Sequence, residues 1–260
     1  MSKERTFVEL TTDALNINDN NKNRLASRGF EIDDDDKKQE DCVLIMGLNP
    51  SGNENDADRD KKEDIPYLCY IEKAKIDNWT NPSYFKPIYD FVQSIEDSVQ
   101  SIEDSVKWPW HNISKKKLLK KIRNLNKNDK DTIREDWDKH QNSKTTIYIG
   151  DMFYYHQTNS TEFKKLIKCK NYKNYCEEML EEHINCLNNH NKTIKFIYIA
   201  NAKVSHWLTH NEPSITTFSK IKPNNIPIFY GGMLSGQGAI DDFSKRRLIN
   251  EITNYLKNNQ

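Results

Sequence analysis

Long apolar runs are absent from this chain of 260 residues, and none approaches the roughly 18 residues that a membrane-spanning helix needs. Residues 1–5 also lack the apolar segment of a signal peptide. Neither sign of charge is in excess, because 39 basic residues balance 39 acidic ones. We therefore predict a cytosolic protein with no membrane partner. Any affinity for nucleic acid must come from a local patch, since no overall field attracts the chain to DNA.

Paired cysteines are also missing. The five cysteines are an odd number without a Cys-x-x-Cys spacing, which argues against a disulfide framework and against a zinc ribbon. The chain is instead rich in Asn, Lys, Asp and Ile, and its mean hydropathy is -0.92. The codon bias of an AT-rich genome explains this composition better than disorder, which fits only the two ends of the chain.

The length favours one large domain over two small ones. Residues 1–40 are polar and are predicted to form a peripheral N-terminal extension, with a helix at residues 20–28. Residues 41–260 are predicted to form the folded domain, and a monomer is the favoured state.

Four short runs of apolar, β-branched and aromatic residues predict the strands of a sheet. Three of them end in loops with Gly or Asn, as buried parallel strands often do. Segments with helical spacing of apolar residues lie between them, so the order predicts a three-layer α/β/α sandwich around a central, mainly parallel four-stranded sheet. The predicted strands cover residues 42–46, 145–149, 194–199 and 226–230, and the main predicted helices lie at 84–106, 114–140, within 161–189, at 202–209 and at 241–257.

The first predicted strand stops at the sequence Gly-Leu-Asn-Pro-Ser-Gly, residues 47–52. Ligands bind beyond the carboxyl ends of strands in open α/β sheets, so a polar side chain in this loop is well placed to meet a substrate. The amide of Asn49 can orient a water molecule, although it is not a strong base. Pro50 stiffens the loop, and Gly52 permits close approach of the backbone. A tight turn without function is the alternative.

Polar, aromatic or glycine-rich segments follow the other three strands. Phe153, Tyr154 and Tyr155 come after the second strand, where they either stack on a base or belong to the core. Asn201 follows the third strand and either reads a base or caps the next helix. The fourth strand leads into Gly-Gly-Met-Leu-Ser-Gly-Gln-Gly, residues 231–238, whose free backbone N–H groups suit an anion or a phosphate.

These loops, in this order, resemble the motifs of the uracil-DNA glycosylase-like superfamily. Its members often carry Gly-x-Asn-Pro-Gly or Gly-x-Asn-Pro-Ser after the first strand, and their Asn, which holds a water molecule, matches Asn49. After the second strand they carry a segment close to Leu-x-Asn-Leu-Phe-Pro-Tyr that lines the base pocket. This chain keeps the aromatic residues of that segment but lacks its Asn. A Gly-Asn-x-Ala turn of the superfamily is similar to the segment around Asn201.

The last motif is the most divergent. Superfamily members typically carry His-Pro-Ser after the last strand, and in this chain Ser235 and Gly236 align with its end. Met233 stands where many relatives have the His that donates to the base oxygen. A thioether cannot donate a hydrogen bond, so Ser235, Gln237 and the backbone N–H groups are the remaining candidate donors.

The resemblance implies a uracil-DNA glycosylase-like fold and hydrolysis of the N-glycosidic bond of uracil or a related damaged base in DNA, with no metal or cofactor. In this interpretation Asn49 positions water, Ser235 and nearby amides hold the base, and Phe153 packs against it. The alternatives are a nucleobase or nucleic-acid binding module of the same fold, which the missing His favours, and hydrolysis of a free nucleoside or nucleotide. The predicted substrate-binding residues are Gly47, Leu48, Pro50, Ser51, Phe153, Asn201, Gly236 and Gln237, and the predicted phosphate-binding residues are Lys245, Arg246 and Arg247.

Overall fold

The computed structural model describes residues 6–26, 30, 32, 39–49, 55, 70–71, 82–99, 115–142, 145–209, 218–221, 226–236 and 238–258. The chain divides into two compact units. The first combines Met1–Val92 with Thr146–Lys245, and the second combines Gln93–Thr145 with Arg246–Gln260. No helix within the described ranges is long and apolar enough to cross a membrane.

Helices and strands alternate along much of the chain. The first part contains α1 (Phe7–Ala14), a 3-10 turn (Lys22–Arg24), β1 (Glu40–Gly47), β2 (Tyr70–Ile71), α2 (Pro82–Val99), α3 (Lys115–Lys121) and α4 (Lys127–Asn142). The second part contains β3 (Thr146–Asp151), α5 (Ser160–Leu166), α6 (Tyr172–Asn189), β4 (Lys192–Ile199), α7 (Ala202–Thr209), β5 (Phe218–Ile221), β6 (Ile226–Tyr230) and α8 (Asp242–Asn258).

The strands of the described residues form one sheet in the order β2-β3-β1-β4-β6-β5. The four central strands, β3-β1-β4-β6, are parallel, and they confirm the four strands predicted from the sequence. Strands β2 and β5 pair antiparallel at the two edges and were not predicted. The carboxyl ends of the four central strands therefore lie along one edge of the sheet.

Helices cover both faces of this sheet. Leu44 and Met46 of β1 point into a core cluster that includes residues of α1, α5, α6 and α7. The intervening residue Ile45 points to the opposite face, because successive side chains of a strand alternate. On that face Phe91 of α2 contacts Tyr198 of β4, with ring centroids 5.2 Å apart. The three-layer α/β/α prediction is confirmed.

The N-terminal segment joins the core of the first unit. Helix α1 starts with a capping box, in which Glu9 N donates to Thr6 Oγ1 (3.2 Å) and Thr6 N donates to the Glu9 carboxylate (2.9 Å). Leu10 and Leu15 are buried in the core cluster. The expectation that residues 1–40 are peripheral does not hold here, because α1 buries its apolar face against the protein.

Three predicted helices differ from the observed ones. The predicted helix at 114–140 is divided into α3 and α4, and the segment 161–189 into α5 and α6. Asn126 and Asn171 cap α4 and α6 by accepting the backbone N–H three residues later, at 2.9 and 3.1 Å. Short Asn side chains start new helices in this way, which apolar spacing alone does not show. A helix was predicted at residues 20–28, and the part of it that the structure describes, residues 20–26, contains only the 3-10 turn.

The second unit contains the end of α2, helices α3 and α4, and most of α8. Leu118 and Ile122 are buried, while the described lysines of α3 are exposed. Lys117, Lys120 and Lys121 therefore lie on the solvated face of α3. Residues 100–106, the end of the predicted helix at 84–106, lie outside the described residues.

A neutral histidine is buried in the core of the first unit. The His183 Nδ1 atom lies 2.7 Å from the carbonyl oxygen of Met179, which can only accept, so Nδ1 carries the proton. Nε2 then accepts from the Tyr154 hydroxyl at 2.7 Å. The rings of Phe7 and Phe30 close the site, with centroids 4.6 and 4.7 Å from the imidazole. Burial lowers the pKa of His183 to about 4, and the hydrogen bond to Met179 acts in the opposite direction.

A His183→Gln variant should make the stability of the protein less dependent on pH. In the unfolded chain this histidine takes up a proton below pH 6.5, whereas the folded protein keeps it neutral down to about 4. Wild-type stability is therefore complete above 6.5 and decreases as the pH falls through this window. From pH 7 to pH 5 this group alone lowers the free energy of unfolding by about 2 kcal/mol.

Chemical denaturation at the two pH values measures this difference. The matched control is His190→Gln, at the partly buried residue that follows the same helix. An equal loss of stability in wild type and His183→Gln would show that His183 is not held neutral by burial.

Candidate functional site

The loops that follow the four parallel strands lie side by side. Backbone hydrogen bonds continue beyond the strands and tie each loop or strand end to its neighbour. They join Met152 N to Gly47 O (3.2 Å), Ala200 N to Met46 O (2.8 Å) and Gly231 N to Ile199 O (3.2 Å). Turns that are distant along the chain therefore meet at one edge of the sheet, as the parallel arrangement requires.

A cleft of about 190 Å³ lies at this edge. Its volume is below the roughly 300–1,000 Å³ of pockets for drug-sized ligands, so it suits a single small group such as one nucleobase. It is lined by Ile45, Gly47, Leu48, Asn49, Ile88, Ile149, Asp151, Gln157, Thr158, Ala200, Asn201, Met233, Leu234 and Ser235. The structure thus brings the predicted residues Asn49, Asn201 and Ser235 into the same cleft.

Asn49 ties two of the loops together. Its Nδ2 donates to the carbonyl oxygens of Tyr155 (3.1 Å) and Gln157 (2.8 Å). A carbonyl cannot donate, so the nitrogen of the Asn49 amide must face these two atoms and its oxygen must face away from them. Both amide hydrogens are used within the protein. Asn49 is half-buried, and these two hydrogen bonds fix the orientation of its amide. Toward a ligand or a water molecule the side chain can therefore only accept a hydrogen bond.

Asp151 is a cleft residue that the sequence did not single out. It is only 4% exposed and lies beside Gly47, its partner in the pairing of β1 with β3. A Cβ atom at position 47 would overlap Asp151 Oδ1, so the carboxylate lies directly against the backbone of Gly47. Gly47 is needed for this space, not for an unusual backbone angle.

A sequence signal for Asp151 was available. The apolar residues Ile147 and Ile149 are four and two positions earlier in the same strand, and residues at this spacing share one face of a strand. Ile149 lines the cleft together with Asp151. The prediction considered this segment for its aromatic residues and for the Asn that it lacks, and so passed over the acid.

Asn201 has a structural role and also lines the cleft. Its Oδ1 accepts the backbone N–H groups of Lys203 (3.0 Å) and Val204 (3.3 Å) and so caps α7. Of the two roles predicted from the sequence, helix cap and base reader, the structure shows the cap, which uses the side-chain oxygen. The Asn201 Nδ2 group makes no hydrogen bond within the part of the chain that the structure describes.

The glycine-rich turn forms the wall of the cleft beyond β6. Gly236 and Gly238 have φ angles of +80° and +86°, a conformation that favours glycine. The turn closes on itself where Ile240 N donates to Met233 O at 2.9 Å. Ser235 is buried to 5% exposure at the cleft, and among the described residues its hydroxyl has no hydrogen-bond partner. Met233 also lines the cleft, so a thioether occupies this wall.

Phe153 and, three residues later, His156 lie away from the cleft. Phe153 belongs to the core, where its ring stacks on Tyr175 with centroids 4.7 Å apart and meets Phe163 at 5.2 Å. Phe153 was predicted to pack against a base, but the structure places it in the core. His156 is buried, and its backbone N–H donates to Arg24 O at 2.8 Å; the cleft is lined instead by the two residues that follow it.

The other predicted residues are placed as follows. Gly47 and Leu48 line the cleft, and Gly236 lies in the turn beside it. Pro50, Ser51 and Gln237 lie outside the described residues. Lys245, Arg246 and Arg247 are consecutive residues of α8, and the last two are exposed.

Positive charge lies close to Asn201. Lys203 belongs to the first turn of α7, two residues after Asn201. Burial, and then the neighbouring ammonium group of Lys164 in α5, lowers the pKa of Lys203 to about 8. Two lysines from different helices therefore interact near the start of α7. An anion between them would relieve their repulsion.

Neither a scan of protein-family models nor a search of curated proteins finds a match to this chain. The resemblance to the uracil-DNA glycosylase-like superfamily therefore stays a prediction that depends on the motifs and on the site.

Proposed function

We propose that this protein is a DNA N-glycosylase that hydrolyses the bond between deoxyribose and uracil or a related damaged base. The observation that carries the proposal is the cleft itself. Asn49 and Ser235 are separated by 186 positions along the chain, yet both line one small cavity at the carboxyl ends of the parallel strands. A base that has left the DNA stack needs such an enclosed site.

The residues of the cleft fit the steps of the reaction. The water oxygen bonds to C1′ of the sugar as the bond from C1′ to the base nitrogen breaks, and the electron pair of that bond leaves with the base. The base gains a proton, and the sugar gains a hydroxyl group. Asn49 Oδ1 can orient the water, and the Ser235 hydroxyl with the Asn201 amide can donate to an oxygen of the departing base.

Nucleic-acid binding is supported by local features in spite of the zero net charge. The interacting pair Lys164 and Lys203 supplies positive charge near Asn201, and phosphate contacts of this kind position DNA without reading its sequence. Phe243 is 77% exposed in the first turn of α8, shortly after the glycine-rich turn. An aromatic ring at such a position can stack on a base.

A binding module without hydrolysis is the second candidate. Met233 lines the cleft where many members of the superfamily have a donating His, and its sulfur cannot supply that hydrogen bond. If Ser235 and Asn201 do not replace this donor, the cleft holds a base without releasing it.

Release of base from defined substrates separates these candidates. The full chain is incubated with single- and double-stranded oligonucleotides that contain uracil or another altered base, and with the free nucleosides. Release from an oligonucleotide supports the glycosylase. Binding without release supports the module, and release from nucleosides alone supports a nucleoside hydrolase. Neither binding nor release with any member of the panel would overturn the proposal.

A Phe243→Ala variant should bind oligonucleotides more weakly while its affinity for nucleosides stays unchanged. Stacking of one base on an aromatic ring contributes about 1–3 kcal/mol, so we expect a loss in oligonucleotide affinity of roughly 10-fold. Fluorescence anisotropy with a labelled oligonucleotide measures this change. Phe243→Tyr keeps the ring and serves as the control. Equal affinity in the alanine and tyrosine variants would exclude Phe243 from the DNA-binding surface.

A further inference from the structure

A basic segment joins α5 to α6. From Phe163 to Cys176 the chain carries five lysines and neither aspartate nor glutamate, although the whole protein has equal numbers of basic and acidic residues. The five are Lys164, Lys165, Lys168, Lys170 and Lys173. The first four are exposed. Within the part of the chain that the structure describes, Lys173 alone among the five contacts a carboxylate, that of Glu177 at 3.9 Å. Positive charge is therefore concentrated here and is largely unneutralised.

Contacts on both sides hold this segment in place. Lys168 N donates to Ala14 O at 3.0 Å, which ties the chain after α5 to the end of α1. Tyr172, the first residue of α6, stacks on Trp207 of α7 with ring centroids 5.0 Å apart and an interplanar angle of 11°. The start of α6, with a lysine on either side of Tyr172, is thereby held against α7.

Helix α7 adds a sixth lysine. Lys203 and Trp207 are four residues apart in this helix, so they share one of its faces. The ammonium group of Lys203 interacts with that of Lys164 in α5, and neither pairs with a carboxylate of the described residues. Two like charges in contact repel each other unless an anion lies beside them. We call these six lysines, from α5, the segment after it, the start of α6, and α7, the lysine surface.

The two helices that carry the lysine pair both start at the cleft. Gln157 and Thr158 line the cleft just before α5, and Asn201 lines it directly before α7. Lys164 is four residues from the start of α5, a rise of about 6 Å along the helix. Lys203 lies in the first turn of α7. The lysine surface is therefore continuous with the edge of the cleft, and both belong to the first unit.

We infer that a nucleic-acid strand with one base in the cleft crosses the lysine surface, and that Lys164 and Lys203 together bind one of its phosphates. The inference rests on the proposed function and identifies the surface that positions the strand. A phosphate between the two ammonium groups accepts charge-assisted hydrogen bonds from both and removes their repulsion. The other four lysines add contacts that carry no sequence information. Continuity with a cleft of base size favours a nucleic-acid strand over an acidic peptide.

The dependence of oligonucleotide affinity on salt tests the inference. Fluorescence anisotropy measures the binding of a labelled single-stranded oligonucleotide to the full chain over a range of salt concentrations. The double variant Lys164→Gln with Lys203→Gln should bind roughly 10-fold more weakly at low salt, because it loses hydrogen bonds between charged groups. The plot of log affinity against log salt concentration should become shallower by about 0.7, the value of one phosphate contact in a single strand. Nucleoside affinity should stay at the wild-type value.

Two further variants serve as controls. Lys164→Arg with Lys203→Arg keeps both positive charges and should keep the wild-type slope. Lys120→Gln with Lys127→Gln removes the same charge at two exposed lysines of α3 and α4, outside the lysine surface, and should also keep it.

The outcomes separate the inference from the proposed function. If Lys164→Gln with Lys203→Gln keeps the wild-type affinity and slope while wild type releases base from oligonucleotides, the inference is overturned and the glycosylase stands. If this variant loses oligonucleotide affinity but no oligonucleotide releases a base, the inference holds for a binding module and the glycosylase fails. An equal loss of nucleoside affinity would show that the lysines act through the fold, and it would overturn the inference. Equal affinity of wild type for poly-glutamate of the same charge would assign the surface to an acidic protein and overturn it as well.

Discussion

Replacing Asn49 by alanine is expected to slow base release by roughly 100-fold, because even a small misplacement of a reacting group costs about this much. Two hydrogen bonds, to Tyr155 O at 3.1 Å and Gln157 O at 2.8 Å, hold this amide and fix the direction of its oxygen. Alanine removes both the oxygen that orients the attacking water and the tie between the two loops. The single-turnover rate on a substrate that wild type cleaves measures the effect.

A control is needed because the tie between the loops also affects stability. Asn159 lies just beyond the same loop, and its Oδ1 caps α5 by accepting from Thr161 N at 2.9 Å. Asn159→Ala should lower stability by about 1 kcal/mol without slowing base release. If Asn49→Ala and wild type release base at the same rate, Asn49 serves only to join the loops, and the glycosylase loses the residue that positions water.

The Gly47→Ala variant is expected to lose about 3 kcal/mol of stability together with nucleoside binding. A methyl group at this position overlaps the Asp151 carboxylate, which is buried and has little room to move. Overpacking of this kind in a close-packed interior forces side chains out of place. Urea denaturation measures the loss of stability, and calorimetry with guanosine and uridine measures the loss of binding.

Two comparisons make this result specific. At Gly238 an added Cβ would meet no atom within 4 Å, so Gly238→Ala shows the cost of a methyl group that strains only the left-handed backbone. Adding Asp151→Ser to Gly47→Ala should restore most of the stability, because serine is shorter, but should not restore binding. A Gly47→Ala protein as stable as wild type would show that the carboxylate does not lie against Gly47.

The central sheet was predictable because burial on both faces gives each parallel strand a continuous apolar run. The edge strands were not, because β2 has two residues and β5 has four, and strands that short give no usable pattern. Helix α1 was missed for a different reason. Its Thr11 is polar yet fully buried, and its Oγ1 atom is satisfied there by a hydrogen bond from Tyr154 N at 2.9 Å. A polar residue on the buried face of a helix interrupts the apolar pattern from which the helix would be predicted.

The candidate site was predictable to the extent that it depends on strand ends. Asn49, Asn201 and Ser235 each follow a parallel strand, and topology alone brings such residues to one edge. Phe153 follows a strand as well, but the chain turns after Asp151 and directs the ring toward Tyr175. Which side of the sheet a loop residue enters depends on that turn, and neither spacing nor composition specifies it.

The central claim is that the turns after β1, β4 and β6 enclose one nucleobase. Amide chemical shifts of the isotope-labelled full chain test it most directly, during titration with whichever of guanosine and uridine binds more tightly. We predict that Leu48, Asn49, Asn201 and Ser235 shift together with one dissociation constant. Shifts at only one of these turns, or at residues away from the cleft, would contradict the claim.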